Sequence, residues 1–88
     1  MKLLRCLLAS LVAALLWGAP PRRVVSQAVG TDDLLLALAD PGQIAALSNL
    51  AHDERYSPSF REARRFKAIR NSSAEDIMRF RPDLVLVT

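Results

Sequence analysis

The sequence has little cysteine, histidine or glycine. Its 88 residues include one cysteine, one histidine and three glycines. The cysteine, Cys6, lies within an apolar N-terminal segment, so the rest of the sequence offers no disulfide, thiolate nucleophile or cysteine metal site. The sequence also lacks a glycine-rich phosphate loop, a nucleophile–base pair and a metal-ligand spacing. It therefore predicts a protein that performs no catalysis and uses no cofactor.

An excess of one sign of charge is also missing. Lysine and arginine number 12 against nine aspartates and glutamates, a formal net charge of +3. Two of the basic residues lie in the N-terminal segment, and from Pro20 onward ten basic residues face nine acidic ones, a net of +1. Nucleic-acid-binding domains usually present a much stronger positive field. We therefore expect no nucleic-acid partner.

Residues 1–19 have the pattern of an export signal. Two basic residues precede an apolar run of 14 residues from Cys6 to Ala19, which matches the basic and apolar regions of a secretory signal. The run is shorter than the roughly 20 apolar residues that a membrane-spanning helix needs. We expect a signal peptide and a periplasmic location. An uncleaved anchor in the inner membrane is the alternative, because Trp17 and Pro20 make cleavage after Ala19 unfavourable.

Residues 20–88 carry the pattern of a small α/β domain. Short apolar runs bounded by turn residues predict strands within 24–29, 43–48 and 84–87, and the last run has no polar alternation, as in a strand covered on both faces. Helical or irregular segments separate them, which implies a parallel sheet joined by right-handed crossovers. The predicted fold class is α/β: an incomplete three-layer lobe with about three parallel strands, preceded by a signal-like helix.

The first helix is predicted to follow the first strand after a tight glycine turn. Its N-terminus is placed at Thr31 or Asp32, whose side-chain oxygens can cap the first backbone N–H groups. Leu34, Leu35 and Leu38 recur at helical spacing and predict its apolar face.

The second helix is predicted from a capping box. Ser72 and Glu75 have the spacing in which each side chain caps the backbone N–H of the other residue. The helix should therefore begin at Ser73 and end before Pro82, which cannot continue it. The polar segment 49–59 before it predicts a loop.

Three segments resemble the N-terminal part of the periplasmic substrate-binding proteins of ABC importers for ferric siderophores, haem and cobalamin. In that family one long helix joins two lobes. The matching segments are PRRVVSQAVGTDDLLLALAD, QIAALSN and AEDIMRFRPDLVLVT, at residues 21–40, 43–49 and 74–88. The third, which ends a helix and enters a strand through Pro-Asp-Leu-Val, is the most specific. Departures from the family's usual residues are Gln27, Val29, Asp33 and Ala39.

The resemblance implies an importer component that binds a metal chelate or a corrinoid and docks on the importer's membrane subunit. Glu75 aligns with the acidic residue through which the family's first lobe contacts arginines of that subunit. The long helix and the second lobe have no counterpart in the 88 residues, so we expect a truncated component that does not bind ligand by itself. A small membrane-anchored interaction module and the non-functional product of a truncated gene are the alternatives.

Candidate ligand-binding residues follow the first two predicted strands. In parallel sheets, ligands bind beyond the carboxyl ends of the strands. Val29, Gly30 and Thr31 lie at a helix N-terminus, where backbone N–H groups suit an anionic or oxygen-rich ligand. Asn49 and His52 follow the second strand, and the histidine has the chemistry to contact haem iron or a chelated metal. A tight turn and a solvated loop are the alternatives.

A basic segment follows this loop. Its positive charges are interspersed with Glu62, which predicts a solvated face. Attraction of an anionic siderophore or a phosphate is the alternative. The basic residues are Arg61, Arg64, Arg65, Lys67 and Arg70.

Overall fold

The computed structural model describes residues 19–88, and the predicted export signal falls on residues outside this range except for its last one. The strands are β1 (Val24–Ser26), β2 (Ile44–Ala46) and β3 (Leu84–Leu86), and the helices are α1 (Val29–Leu38), α2 (Phe60–Ala63) and α3 (Ala74–Met78). A 3₁₀ turn, Pro41–Gln43, leads into β2. The segment between β2 and α2 has neither helix nor strand, which confirms the predicted loop.

The three strands form one parallel sheet in the order β2-β1-β3. Val24 of β1 pairs with Ile44 on one side and with Leu84 on the other. Beyond β2 the sheet gains one further parallel bridge, in which the backbone N–H of Leu47 donates to Lys67 O at 2.8 Å. The expected α/β fold class with three parallel strands is confirmed.

Helical segments pack on both faces of the sheet. Successive side chains of β1 point to opposite faces, so neighbouring residues of this strand pack in different clusters. Val24, 2% exposed, packs in one cluster with Leu35 of α1. Val25, fully buried, packs in a second cluster with Ile77 of α3. The β-branched pair at the centre of the sheet therefore serves two cores.

Helix α1 begins earlier than the sequence predicts. The strand ends at Ser26, and Val29 is already helical, so the placement of Val29 in a strand and of the cap at Thr31 or Asp32 was wrong. Ala28 is the N-cap residue. The Thr31 hydroxyl accepts from the backbone N–H of Ala28 at 3.3 Å, so it caps the helix from inside the first turn.

The apolar face of α1 is narrower than its three leucines suggest. Leu35 is buried at 7% exposure, whereas Leu34 and Leu38 are 55% and 80% exposed. Two of the three predicted core leucines therefore lie on the outer surface of the helix. The reason is packing, since only one row of a helix this short meets the sheet.

Helix α3 begins one residue later than predicted. Ser73 is the N-cap residue, and its hydroxyl accepts from the backbone N–H of Asp76 at 3.3 Å. The capping box of Ser72 and Glu75 is therefore not formed. The helix also ends early, at Met78, because Arg81 adopts a left-handed conformation (φ 51°) that turns the chain towards β3.

Strand β3 is more exposed than predicted. Leu84 is 39% exposed, while Val85 and Leu86 are half-buried. Val87, 61% exposed, lies beyond the end of the strand. The expectation that both faces are covered was wrong, because the segments that pack on the sheet within residues 19–88 do not fully cover this edge strand.

One carboxylate links the residues that directly precede β1 and β3. Asp83 accepts hydrogen bonds from the backbone N–H groups of Arg22 and Arg23, each at 2.8 Å. These bonds stabilise the charged form, so they hold the pKa of Asp83 below its usual 3.8. The backbone N–H of Asp83 in turn donates to Arg23 O at 2.9 Å. The two strands are thus pinned together where they begin.

We expect the Asp83→Asn variant to have a flatter dependence of stability on acid pH. A lowered pKa means that the stabilisation by Asp83 is complete above the usual value of 3.8 and is lost as the pH falls below it. Urea unfolding of both proteins at pH 7, 5 and about 3 measures this. Asp40→Asn, an exposed acid-to-amide change, is the control. Equal loss of stability by parent and Asp83→Asn between pH 5 and pH 3 would contradict the prediction.

Candidate functional site

An open depression of about 610 Å³ lies beside the loop that follows β2. The loop contributes Asn49 and the segment 52–55. Phe60, the first residue of α2, and Arg64, which directly follows α2, complete the lining. The depression therefore lies where a parallel sheet places ligand sites, beyond the carboxyl end of a strand. Asn49 and His52, two predicted ligand-binding residues, are brought together here.

Successive turns shape the loop. The backbone N–H groups of Ala51 and Asp53 donate to Ser48 O and Leu50 O, both at 3.1 Å. Ala51 is fully buried and packs in the cluster that contains Ala63 of α2. This small side chain lets the loop lie directly against α2, which positions the polar residues on either side of it.

His52 connects the loop to the end of α2. Its Nε2 lies 2.9 Å from both Ala63 O and Phe66 O. Carbonyl oxygens only accept hydrogen bonds, so Nε2 must carry the hydrogen and donate. In the neutral ring, Nδ1 is then the nitrogen with a free lone pair. The role of His52 as a ligand contact stays a prediction, and any such contact would use Nδ1.

The charges in the depression balance. Arg55 donates from its terminal nitrogen to Asp53 Oδ2 at 2.8 Å, and its backbone N–H donates to Oδ1 at 2.9 Å. These bonds from Arg55 lower the pKa of Asp53. With Glu54 and Arg64 added, two acids face two bases. The depression therefore suits a polar, oxygen-rich ligand of low net charge better than a highly charged one.

A buried hydrogen-bonded pair fixes the base of this loop. Asp32, in the first turn of α1, is fully buried. Its carboxyl oxygens accept from the backbone N–H of Ser48 at 2.9 Å and from the Ser48 hydroxyl at 2.6 Å. Ser48 directly precedes Asn49, so the pair holds the start of α1 against the end of β2. It positions the candidate site without lining it.

The other predicted ligand-binding residues lie outside the depression. Val29, Gly30 and Thr31 form the first turn of α1, ahead of Asp32, whose backbone N–H makes the first helical bond, to Ala28 O at 2.9 Å. The N–H groups of such a turn have no partner within the helix. The Thr31 hydroxyl is 2.5 Å from the Ser26 hydroxyl, so it is occupied. The ligand roles of these three residues stay predictions.

Glu75, the predicted docking residue, also lies away from the depression. It is exposed in the first turn of α3, and its carboxylate makes no hydrogen bond or ion pair within residues 19–88. Since the capping box is not formed, the side chain is accessible to a partner. Its docking role stays a prediction.

The sequence did not predict that Phe60 would line the depression, and it considered Arg64 only as one of five basic residues, without placing it beside the loop. Phe60 directly follows the loop and Arg64 lies four residues further on, and no local pattern places them against Asn49. The guanidinium carbon of Arg64 lies 5.3 Å from the centre of the Phe60 ring, a cation–π contact. Their position depends on the bond between His52 and the end of α2, which has no signature in the sequence.

Comparison with known proteins leaves the resemblance untested. No family model, curated protein or solved structure matches the chain. Within residues 19–88, no helix is long and apolar enough to cross a membrane. In the same range, no three histidine, aspartate or glutamate side chains lie together as metal ligands would.

Proposed function

We propose that residues 20–88 are the first part of the N-terminal lobe of an exported substrate-binding protein. The protein would serve an ABC importer for ferric siderophores, haem or cobalamin-type ligands, and these residues would not bind the ligand tightly by themselves. The observation that carries the proposal is the polar depression beyond β2 in a parallel sheet, lined by Asn49 and His52. The proposal rests on this geometry together with the resemblance in sequence.

The shape of the depression supports a shared site. It is wide open, and its polar groups come from one side only, a short loop and the start of α2. A site that buries most of its ligand needs a second wall. In the proposed function, that wall belongs to the second lobe, and the first lobe alone gives weak contacts.

The accessibility of Glu75 supports docking on a membrane subunit. An exposed carboxylate without an internal partner can pair with an arginine across an interface without breaking an existing contact. Its position in the first turn of α3, away from the depression, allows ligand and membrane subunit to be contacted at once.

We expect Glu75→Lys to weaken binding to the membrane subunits of such importers by about tenfold or more, because the change replaces attraction with repulsion of the partner arginines. The full chain in a non-ionic detergent is titrated onto each of the three importer classes in lipid nanodiscs. Glu62→Lys, an equal charge change at an exposed site in α2, is the control. Absence of binding to all three classes, or equal loss in both variants, would contradict the proposal.

The exposed leucines of α1 favour one alternative, a membrane-anchored interaction module. Leu34 and Leu38 present apolar surface that a partner protein would cover. The N-terminal sequence of the exported protein distinguishes the two functions. Exported protein whose first residue is Pro20 or Pro21 supports the substrate-binding proposal, whereas an intact N-terminus held in the membrane supports the module.

A further inference from the structure

A second depression, of about 340 Å³, brings together positive charges from three segments of the chain. Its lining side chains are Arg23, ahead of β1; Lys67 and Arg70, which flank the bridge next to β2; and Arg79, after α3, beside Phe80. The sequence predicted a solvated face for Lys67 and Arg70 and gave no reason to place them with Arg23 and Arg79. The fold brings the four together.

Two of these cations are held in place. Arg23 donates from Nε to the backbone oxygens of Phe80 at 2.9 Å and Arg81 at 3.2 Å. Arg79 pairs with Asp76 Oδ1 at 2.8 Å, and its guanidinium carbon lies 5.2 Å from the centre of the Phe80 ring. A cation that is already oriented loses little conformational freedom when it binds an anion. The depression is therefore partly organised before a ligand arrives.

The positive charge of the depression is only partly neutralised within residues 19–88. Backbone oxygens orient Arg23 without cancelling its charge, and Lys67 and Arg70 make no ion pair within residues 19–88. Asp76 is the one acid that forms an ion pair with these four cations within residues 19–88, so the lining and its paired acid together carry a net charge of +3. Like charges gathered in one depression repel, and a bound anion relieves that repulsion.

We propose that this depression binds an anion of the phosphate class, either free phosphate or a phosphate monoester, including the headgroup of a lipid. A phosphate carries about −1.5 to −2 charges near pH 7, so it neutralises more of the excess positive charge than a single carboxylate does. Guanidinium groups present paired N–H donors that fit its oxygens. The site shares no lining residue with the depression beyond β2, and Glu75 is not one of its lining residues. Phosphate binding is therefore tested independently of the proposed function.

The full chain, labelled with nitrogen-15 in a non-ionic detergent, is titrated with sodium phosphate and with sodium chloride at equal ionic strength. We expect saturable shifts of the Arg23, Lys67, Arg70 and Phe80 amide signals with phosphate alone. Identical shifts with both salts would overturn the proposal, because they would report only general screening. This comparison uses the unmodified protein and needs no variant to fold.

A pair of double variants tests the location of the site. Lys67→Gln with Arg70→Gln is expected to weaken phosphate binding by about tenfold or more, because two exposed charges are removed from the depression. Arg61→Gln with Arg65→Gln removes the same charge outside it, and we expect a change of less than about twofold. Equal loss in the two double variants would overturn the proposal.

Titration with a soluble short-chain phosphatidic acid shows whether the site prefers a lipid headgroup or a free phosphate. Binding at least about tenfold tighter than that of inorganic phosphate, with the same loss in the Lys67 and Arg70 variant, assigns the site to a lipid headgroup. Equal affinity assigns it to a free phosphate or phosphate monoester. Binding of neither compound would overturn the proposal.

Discussion

Replacing Leu47 with alanine is expected to lower the free energy of unfolding by about 2–5 kcal/mol, the usual cost of truncating a leucine in a packed core. Leu47 is fully buried in the cluster beneath α1. Its backbone also joins β2 to the segment before α3, since its N–H donates to Lys67 O and its carbonyl accepts from Ile69 N at 2.9 Å. A cavity here would therefore loosen the bridge as well as the core.

Leu38→Ala is the matched control, because it makes the same chemical change at a side chain that is 80% exposed. We expect it to alter stability by less than about 0.5 kcal/mol. Urea unfolding of the full chain, followed by far-ultraviolet circular dichroism, compares the two variants. A domain this small has only on the order of 5–10 kcal/mol of stability, so Leu47→Ala should unfold at a much lower urea concentration. Equal effects at the two positions would contradict the burial described above.

Removal of the Asp32 side chain is expected to cost about 2–4 kcal/mol, because Asp32→Ala leaves two buried donors of Ser48 without an acceptor. The side chain is fully buried, so water cannot easily replace it. The variant should also free the start of the loop that carries Asn49 and His52. Urea unfolding measures the first effect, and faster amide hydrogen exchange in the loop measures the second.

Asp32→Asn should cost less than Asp32→Ala, since its amide keeps an oxygen for the Ser48 N–H and offers a donor to the Ser48 hydroxyl. Ser48→Ala removes one of the two bonds, and the Asp32→Ala, Ser48→Ala pair should lose less than the sum of the single changes. Glu62→Ala, at an exposed carboxylate, is the control. Strict additivity of the two single changes would contradict the direct pairing of these residues.

The fold class was predictable from local patterns, whereas the details of packing were not. Val24 and Val25 are β-branched and flanked by charge and turn residues, which was enough to place a strand. The same reasoning put Leu34 and Leu38 in the core, where only Leu35 lies. Periodicity identifies which residues share a helix face, but the width of the buried stripe depends on what packs against it.

The candidate site was predictable in part for the same reason. The carboxyl end of a parallel strand is recognisable in the sequence, so Asn49 and His52 were placed near the depression that the structure contains. Phe60 and Arg64 were not, because they approach only when α2 folds back onto the loop. Capping was also misplaced: several side chains near each helix start could accept a hydrogen bond, and tertiary contacts chose among them.

The sequence by itself determined that residues 20–88 form an α/β domain with three parallel strands, because apolar runs and turn residues act over a few neighbouring positions. Only the tertiary structure decided which polar and charged groups come into contact. Asp32 accepts hydrogen bonds from Ser48, and Arg23 and Arg79 lie with Lys67 and Arg70 around one depression. No local pattern encodes contacts across such distances in the sequence. Hydrogen bonds and ion pairs act at short range in space, so their partners become defined only when the chain has folded.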